Sequence, residues 1–223
     1  MWRDISPRLT GGLVILEPLS SEHEDALFEA AQPTEIWQWW PFNPAVDRGT
    51  FHRWLGEVLE EVIAGRQARY AVLDANGRPI GSTSYCELRP EHHGLEIGWT
   101  WFTPRVWRSG VNAETKLLQL RYAFERLGCQ RVEFYTDELN VSSRAALAAL
   151  PAHFEGVLRD IKLLPSGRRR SSAVYSILDR EWEDVERQLA ARVSAQMGAA
   201  DTQNSSSQSK TAGNGTAGAC QAR

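Results

Sequence analysis

The chain has 223 residues, 42% hydrophobic and 24% charged, with 25 basic against 28 acidic side chains and a net charge of −3. That length suits one domain plus a tail, and the slightly acidic balance leaves no electrostatic footprint for nucleic-acid binding. Cys86, Cys129 and Cys220 fit neither a disulfide framework nor a zinc pattern, and no apolar run reaches membrane-span length, so a metal-free cytoplasmic protein is the default expectation.

In chain order, Leu13–Leu16 reads as a first strand, and Ser20-Ser21-Glu22-His23 as a helix start leading to about Ala31. Residues 32–47, rich in Trp, Pro and Asn, are expected to be irregular. Phe51, Trp54, Leu55, Val58, Leu59 and Val62 recur at helical spacing up to Gly65. Tyr70–Leu73 and Ile80–Leu88 flank Ala75-Asn76-Gly77, a hairpin signal. Leu95–Phe102 is the next strand. Leu117, Leu120, Phe124 and Leu127 form the stripe of a third helix closed by Gly128.

Arg131–Thr136 then alternates as a strand, and Ser142–Leu150 is an Ala-rich helix. Val157–Leu164 and Ala173–Leu178 form a hairpin around Pro165-Ser166-Gly167. Asp179 caps a last helix to Val193. From Ser194 to Arg223 the composition turns to Ser, Gly, Ala, Gln, Asn and Thr, which predicts a disordered low-complexity tail over 194–223. The order predicts a mixed α/β fold with a mostly antiparallel central sheet flanked by helices. It is not a doubly wound dinucleotide fold, because the strands of 70–102 form a meander.

The stretch from Leu95 to Lys116 carries the most chemistry. A strand ends at Thr103-Pro104, and a short loop around Gly110 opens directly into a helix. Backbone N–H groups at such a helix N-terminus form an anion site suited to phosphate.

Four features resemble the GNAT superfamily of acetyl-coenzyme A-dependent N-acetyltransferases, most nearly its RimJ/RimL-type ribosomal-protein branch. They are Leu95-Glu96-Ile97-Gly98-Trp99, the loop and helix Trp107–Lys116, the run Val132–Asp137 leading into Asn140–Ala146, and Phe154–Arg159 with the closing strand Val174–Leu178. The resemblance covers about residues 9–193 and implies an N-acetyltransferase domain over 1–193. The superfamily loop pattern is Gln/Arg-x-x-Gly-x-Gly/Ala. Here Trp107 takes the first position, Gly110 keeps the central glycine and Asn112 takes the sixth.

The resemblance implies that acetyl-coenzyme A binds as co-substrate along Trp101, Phe102 and Thr103 and the loop Arg108, Ser109, Gly110, Val111, Asn112 and Ala113. It also implies that Asn140 meets the pantetheine arm and Ser143 the region of the thioether. Asn140 and Ser143 serve equally well as helix-capping residues. The tyrosine acid common in the superfamily is missing from Asn140–Leu150, which leaves Ser143 as the catalytic hydroxyl, with Ser142 behind it.

Glu96 is the first candidate for general base, ahead of Glu87 and His93. Strict alternation puts Glu96, Gly98 and Thr100 on one strand face, and Ile97, Trp99 and Trp101 on the other. Carbonyl polarisation falls to backbone N–H groups near Trp101–Thr103. Trp37, Trp39, Trp40, Tyr85 and Glu87 are the expected acceptor-binding residues, with core packing explaining at least one tryptophan. Arg168-Arg169-Arg170 reads as a solvated hairpin loop. The implied acceptor is a primary amine, first a protein N-terminal α-amino group and second a small-molecule amine. A non-catalytic acyl-coenzyme A-binding module is the third reading. No nucleic-acid or membrane partner is expected.

Overall fold

Turn signals and apolar periodicity divide the chain into eight strands and five helices in the computed structural model, which describes residue 2 and residues 4–211, with side chains as far as residue 198. The strands are β1 (Leu9–Thr10), β2 (Val14–Pro18), β3 (Ala68–Asp74), β4 (Pro79–Arg89), β5 (Gly94–Phe102), β6 (Arg131–Asp137), β7 (His153–Leu163) and β8 (Arg169–Leu178). The helices are α1 (Glu24–Ala30), α2 (Arg48–Ile63), α3 (Val111–Glu125), α4 (Val141–Ala148) and α5 (Trp182–Thr211). Residues 32–47 hold only two short 3-10 turns, Thr34–Trp37 and Pro44–Val46, in line with their Pro and Asn content.

The strands form one mixed, mostly antiparallel sheet in the order β1-β2-β3-β4-β5-β6-β8-β7. The β5–β6 pair alone is parallel. Strand β1 escapes prediction because two residues carry no alternation. The low-complexity stretch expected from residue 194 begins inside α5, which is continuous to Thr211, while the rest of that stretch and Cys220 lie outside the described residues.

Each face of the sheet buries its own core. Phe51, Trp54, Leu55 and Val58 of α2 pack with Leu27 of α1 on Ala71, Leu73 and Trp101. On the other face Leu117 and Leu120 of α3, with Val185 and Leu189 of α5, cover Val72, Ile80, Leu95 and Ile97. Helix α3 is enclosed by the sheet on one side and α5 on the other, so every residue from Ala113 to Leu120 is buried, including Glu114, Thr115, Lys116 and Gln119. Its polar groups must therefore find partners inside the protein. The Glu114 carboxylate accepts backbone N–H groups from Gly12 (2.8 Å), Leu13 (2.6 Å) and Val14 (2.8 Å), which ties the first turns of α3 to the β1–β2 turn.

Candidate active site

The parallel ladder between β5 and β6 lasts only from Gly94↔Arg131 to Glu96↔Glu133. Beyond it the strands diverge and open a cleft of about 1020 Å³ through the sheet. A bulge in β5 shapes its wall. Ser82 pairs with Trp101 and Ser84 with Gly98, so two steps on β4 face three on β5, and Trp99 takes a left-handed φ of 51°. A bulge adds one residue and reverses side-chain parity.

The alternation expected from sequence holds for Glu96 and Gly98 but fails at Thr100. The Thr100 hydroxyl meets Thr83 (2.7 Å) on the α3 face. Trp99 and Trp101 turn to the α1–α2 face, opposite Ile97, where Trp99 packs 5.3 Å from Trp40 and Trp101 5.4 Å from Trp37.

The loop after β5 closes one end of the cleft. Gly110 caps α3 with φ 93°, a backbone state that favours glycine, and a Cβ there would lie 3.0 Å from Leu13 and from the Gln196 amide oxygen. The N–H groups of Val111, Asn112 and Ala113 meet no acceptor among the described residues. These orphan donors at a helix N-terminus fit a phosphate. Gly110, Asn112, Ala113 and the exposed Arg108 line the cleft. Val111 is instead buried in the core, and the Ser109 hydroxyl is turned back onto Val106 O at 2.6 Å, so neither side chain faces the cleft.

Facing this loop, the Asn140 side chain accepts the Ser143 N–H (3.0 Å) and caps α4. Both residues also line the cleft. Trp101 and Phe102 reach it as well, although the Trp101 ring is 3% exposed and belongs mainly to the core. The Thr103 N–H is spent on Ile80 O (2.8 Å), which removes it from the expected carbonyl-polarising set. Amide direction alternates along a strand, so the Phe102 N–H points away from β4 toward the opening.

The opposite end is aromatic and charged. Trp39 and Trp40 are half-buried on its rim beside the exposed Trp99. Trp37 is core: it is 5% exposed and its Nε1 donates to Ala31 O. Tyr85 is also core, fully buried on the α3 face with its hydroxyl on Gln119 O (2.7 Å), because its β4 position points away from the α1–α2 face. Glu87 stands exposed on the cleft wall at a second bulge, with φ 46°.

Glu96 lies between the two ends, half-buried beside Cys86, its register partner on β4. Gly98 makes room for it, since a Cβ there would fall 2.6 Å from Glu96 Oε1. Burial pushes the Glu96 carboxyl up to about 7, with Lys162 and Arg170 pulling it down and Glu87 and Glu133 adding to the rise. Burial likewise pushes the Cys86 thiol up to about 12.

Sequence reasoning missed several groups here. Arg168 and Arg170 pair with the buried Asp137 of β6, while Arg169, paired with Asp160 (2.6 Å), stays exposed, so two of the three arginines expected to be solvated are instead tied to the neighbouring strand. Burial would raise the Asp137 carboxyl, but hydrogen bonds from Arg168 and the Leu139 N–H hold it below its ordinary value. Lys162 stands over the Trp99 ring at 5.9 Å, with the buried Arg69 at 5.8 Å from the same ring. Desolvation brings the Arg69 guanidinium down to about 10. Lys116 also lines the cleft. Nothing in composition marks the meeting of Asp137 with Arg168 and Arg170, because the long-range pairing of β6 with β8 brings them together.

Among the described residues no helix is long and apolar enough to cross a membrane, and no cluster of His, Cys, Asp or Glu could hold a metal ion.

The acetyltransferase (GNAT) domain family matches residues 14–152. A candidate acetyltransferase from T. thermophilus is 36% identical and superposes with a TM-score of 0.78, covering 86% of this chain and 99% of that one. A GCN5-related N-acetyltransferase from Brucella melitensis is 28% identical, with a TM-score of 0.79 over 84% of this chain and 86% of that one. Mycobacterium smegmatis RimJ, solved in complex with CoA-disulfide, shares the fold (TM-score 0.75, 86% of this chain and 97% of that one) at 18% identity. Among curated proteins, the FsC-acetyl coenzyme A-N(2)-transacetylase of Aspergillus fumigatus is 33% identical over 81 residues. That match spans 36% of this chain and only 34% of the relative's length.

Proposed function

The chain belongs to the acetyltransferase (GNAT) family and is an N-acetyltransferase, and from that premise we propose that it moves acetyl from acetyl-coenzyme A to a protein N-terminal α-amino group by direct attack in a ternary complex. The observation that carries the reading is the joining of two ends in one cleft. Orphan N–H groups at the start of α3 suit the coenzyme pyrophosphate, and Glu96, raised to about 7, faces the aromatic acceptor end.

Each step falls to a group of this chain. The amides of Val111, Asn112 and Ala113 hold phosphate, with Arg108 adding a charge-assisted contact. The Phe102 N–H polarises the thioester carbonyl. Asn140 holds the pantetheine arm, and the Ser143 hydroxyl hydrogen-bonds near the sulfur. Glu96 takes the proton of the attacking amine. An α-amine titrates near 8 and a lysine near 10.4, so a base at about 7 is far better matched to the α-amine. Trp39, Trp40, Trp99 and Glu87 form the acceptor wall.

A small-molecule amine is the second reading, kept beside the first because the curated relative is by name an N(2)-transacetylase for FsC and not a ribosomal-protein acetyltransferase. Calorimetric titration with acetyl-coenzyme A, beside turnover on N-terminal peptides and on a panel of amino acids and polyamines, separates the readings. Peptide turnover at least about tenfold above every small amine supports the first. Preference for a small amine overturns it, and binding without turnover on any amine leaves a coenzyme-binding module.

A further inference from the structure

Helix α3 presents to the cleft a cation that has no counter-ion. Lys116 is 6% exposed, yet it lines the cleft where β5 parts from β6. Its Nζ donates to Thr100 Oγ1 (2.8 Å), Thr83 Oγ1 (3.4 Å) and Gln119 Oε1 (3.4 Å). These are two hydroxyls and an amide, and no carboxylate forms an ion pair with it among the described residues. An isolated buried charge is costly, and a neutral side chain would fill the same space more cheaply. The cost falls at the β5 bulge that starts the opening, on the same face as the orphan amides of α3.

We propose that Lys116 is the proton donor to the departing coenzyme A thiolate. The role rests on the acetyl-transfer reading above. As the acceptor nitrogen bonds to the acetyl carbon, the carbon–sulfur bond breaks and sulfur keeps the electron pair. A proton passes from Lys116 Nζ to that sulfur, while the proton of the acceptor amine goes to Glu96. Lys116 ends neutral and Glu96 protonated, and proton exchange through the cleft restores both.

The chemistry suits the group. Burial brings the Lys116 ammonium down to about 7, with Cys86 on β4 and Glu96 on β5 the titratable groups that pull it back up. From α5, Arg192 reaches the same cleft but donates to Ala149 O (2.8 Å). A proton held that loosely is easily released to a thiolate, whereas a serine hydroxyl holds its proton far more tightly. Helix α4 offers serines alone as hydroxyl donors.

The test follows the pH dependence of turnover. Full-length wild type, K116M, K116Q and K116R are compared for coenzyme A affinity by calorimetry and for kcat against pH. In wild type kcat is expected to fall as pH rises through about 7, where the donor loses its proton. At equal coenzyme affinity K116M and K116Q are expected to lose about a hundredfold in kcat together with that falling limb, and K116R to lose a similar factor, since arginine holds its proton. A falling limb unchanged in the neutral variants would overturn the role. Should both neutral variants fail to fold, full kcat in K116R would overturn it as well. Failure of wild type to bind coenzyme A would remove acetyl transfer itself and this role with it, whereas binding and turnover unaffected by these substitutions remove this role alone.

Discussion

Replacing Glu96 with glutamine should lower activity and raise stability, and the two effects share one cause. The carboxyl titrates at about 7 in the folded protein against an ordinary 4.5, chiefly through burial. The folded state therefore binds this proton more tightly than the unfolded chain does. The stability this group contributes is fully present below about 4.5 and is lost as pH rises through about 7. At 1.36 kcal/mol per pH unit the gap corresponds to about 3 kcal/mol, and solvent reaching the half-buried carboxyl reduces it to about 1–3 kcal/mol. Glutamine does not ionise, so near pH 8 the variant should be more stable by that amount. With an unfolding entropy of about 2.1 cal/mol/K per residue over about 200 residues, Tm should rise by about 2–7 °C. Near pH 4 the advantage should vanish. In the wild type kcat/KM should trace a narrow bell about pH 7, its rising limb set by Glu96 and its falling limb by Lys116, and in Glu96→Gln the rising limb should disappear with a loss of about a hundredfold or more. Calorimetric melts at the two pH values and a pH–rate profile check both halves. A variant no more stable near pH 8 than near pH 4, together with an unaltered profile, would refute the assignment of base and burial alike.

Gly110→Glu should abolish acetyl-coenzyme A binding in calorimetry, because φ 93° and the 3.0 Å approach of Leu13 leave no room for a Cβ and the added charge repels pyrophosphate; unchanged affinity would take the loop out of the site. Glu114→Gln should destabilise by about 2–4 kcal/mol in urea unfolding, since a carboxamide cannot accept all three N–H groups of Gly12, Leu13 and Val14; a loss below about 1 kcal/mol would show that the contact holds little. Asp137→Asn strips Arg168 and Arg170 of their shared anion, and a cost of about 2–4 kcal/mol with a raised acceptor KM is expected from melts and kinetics. Wild-type values would show that the hairpin is anchored otherwise.

The order of elements was legible because punctuation and periodicity agree. Asn76-Gly77 and Pro165-Ser166-Gly167 mark hairpins, and the α3 stripe ends at Gly128. The loop at Gly110 and the carboxyl at Glu96 were legible too, since a strand running into a helix fixes where their backbone must lie. Side-chain direction was less readable. Tyr85 and Trp37 belong to the core because strand parity and an Nε1 donor to Ala31 point them there. Arg170 and Asp137 meet only through pairing of β6 with β8, two segments well apart in sequence.

The β5 bulge shows why such a site resists reading from sequence while remaining simple in physical terms. Without the bulge at Trp99, regular alternation would put Thr100 on the face of Glu96, and Lys116 would lose its 2.8 Å partner. With it, the carboxyl at about 7 stands on the tryptophan face and the ammonium at about 7 on the α3 face, on either side of the opening between β5 and β6. Two groups poised at the same pH on opposite faces can each handle one proton of the reaction, provided the acceptor enters from the α1–α2 side and the coenzyme from the α3 side. Inserting one residue between Trp99 and Thr100 reverses the parity and should therefore cost more activity than Trp99→Ala, which empties the acceptor wall but keeps the parity. Equal losses in kcat for the two variants would show that parity, and with it the separation of the two proton sites, is not what the bulge provides.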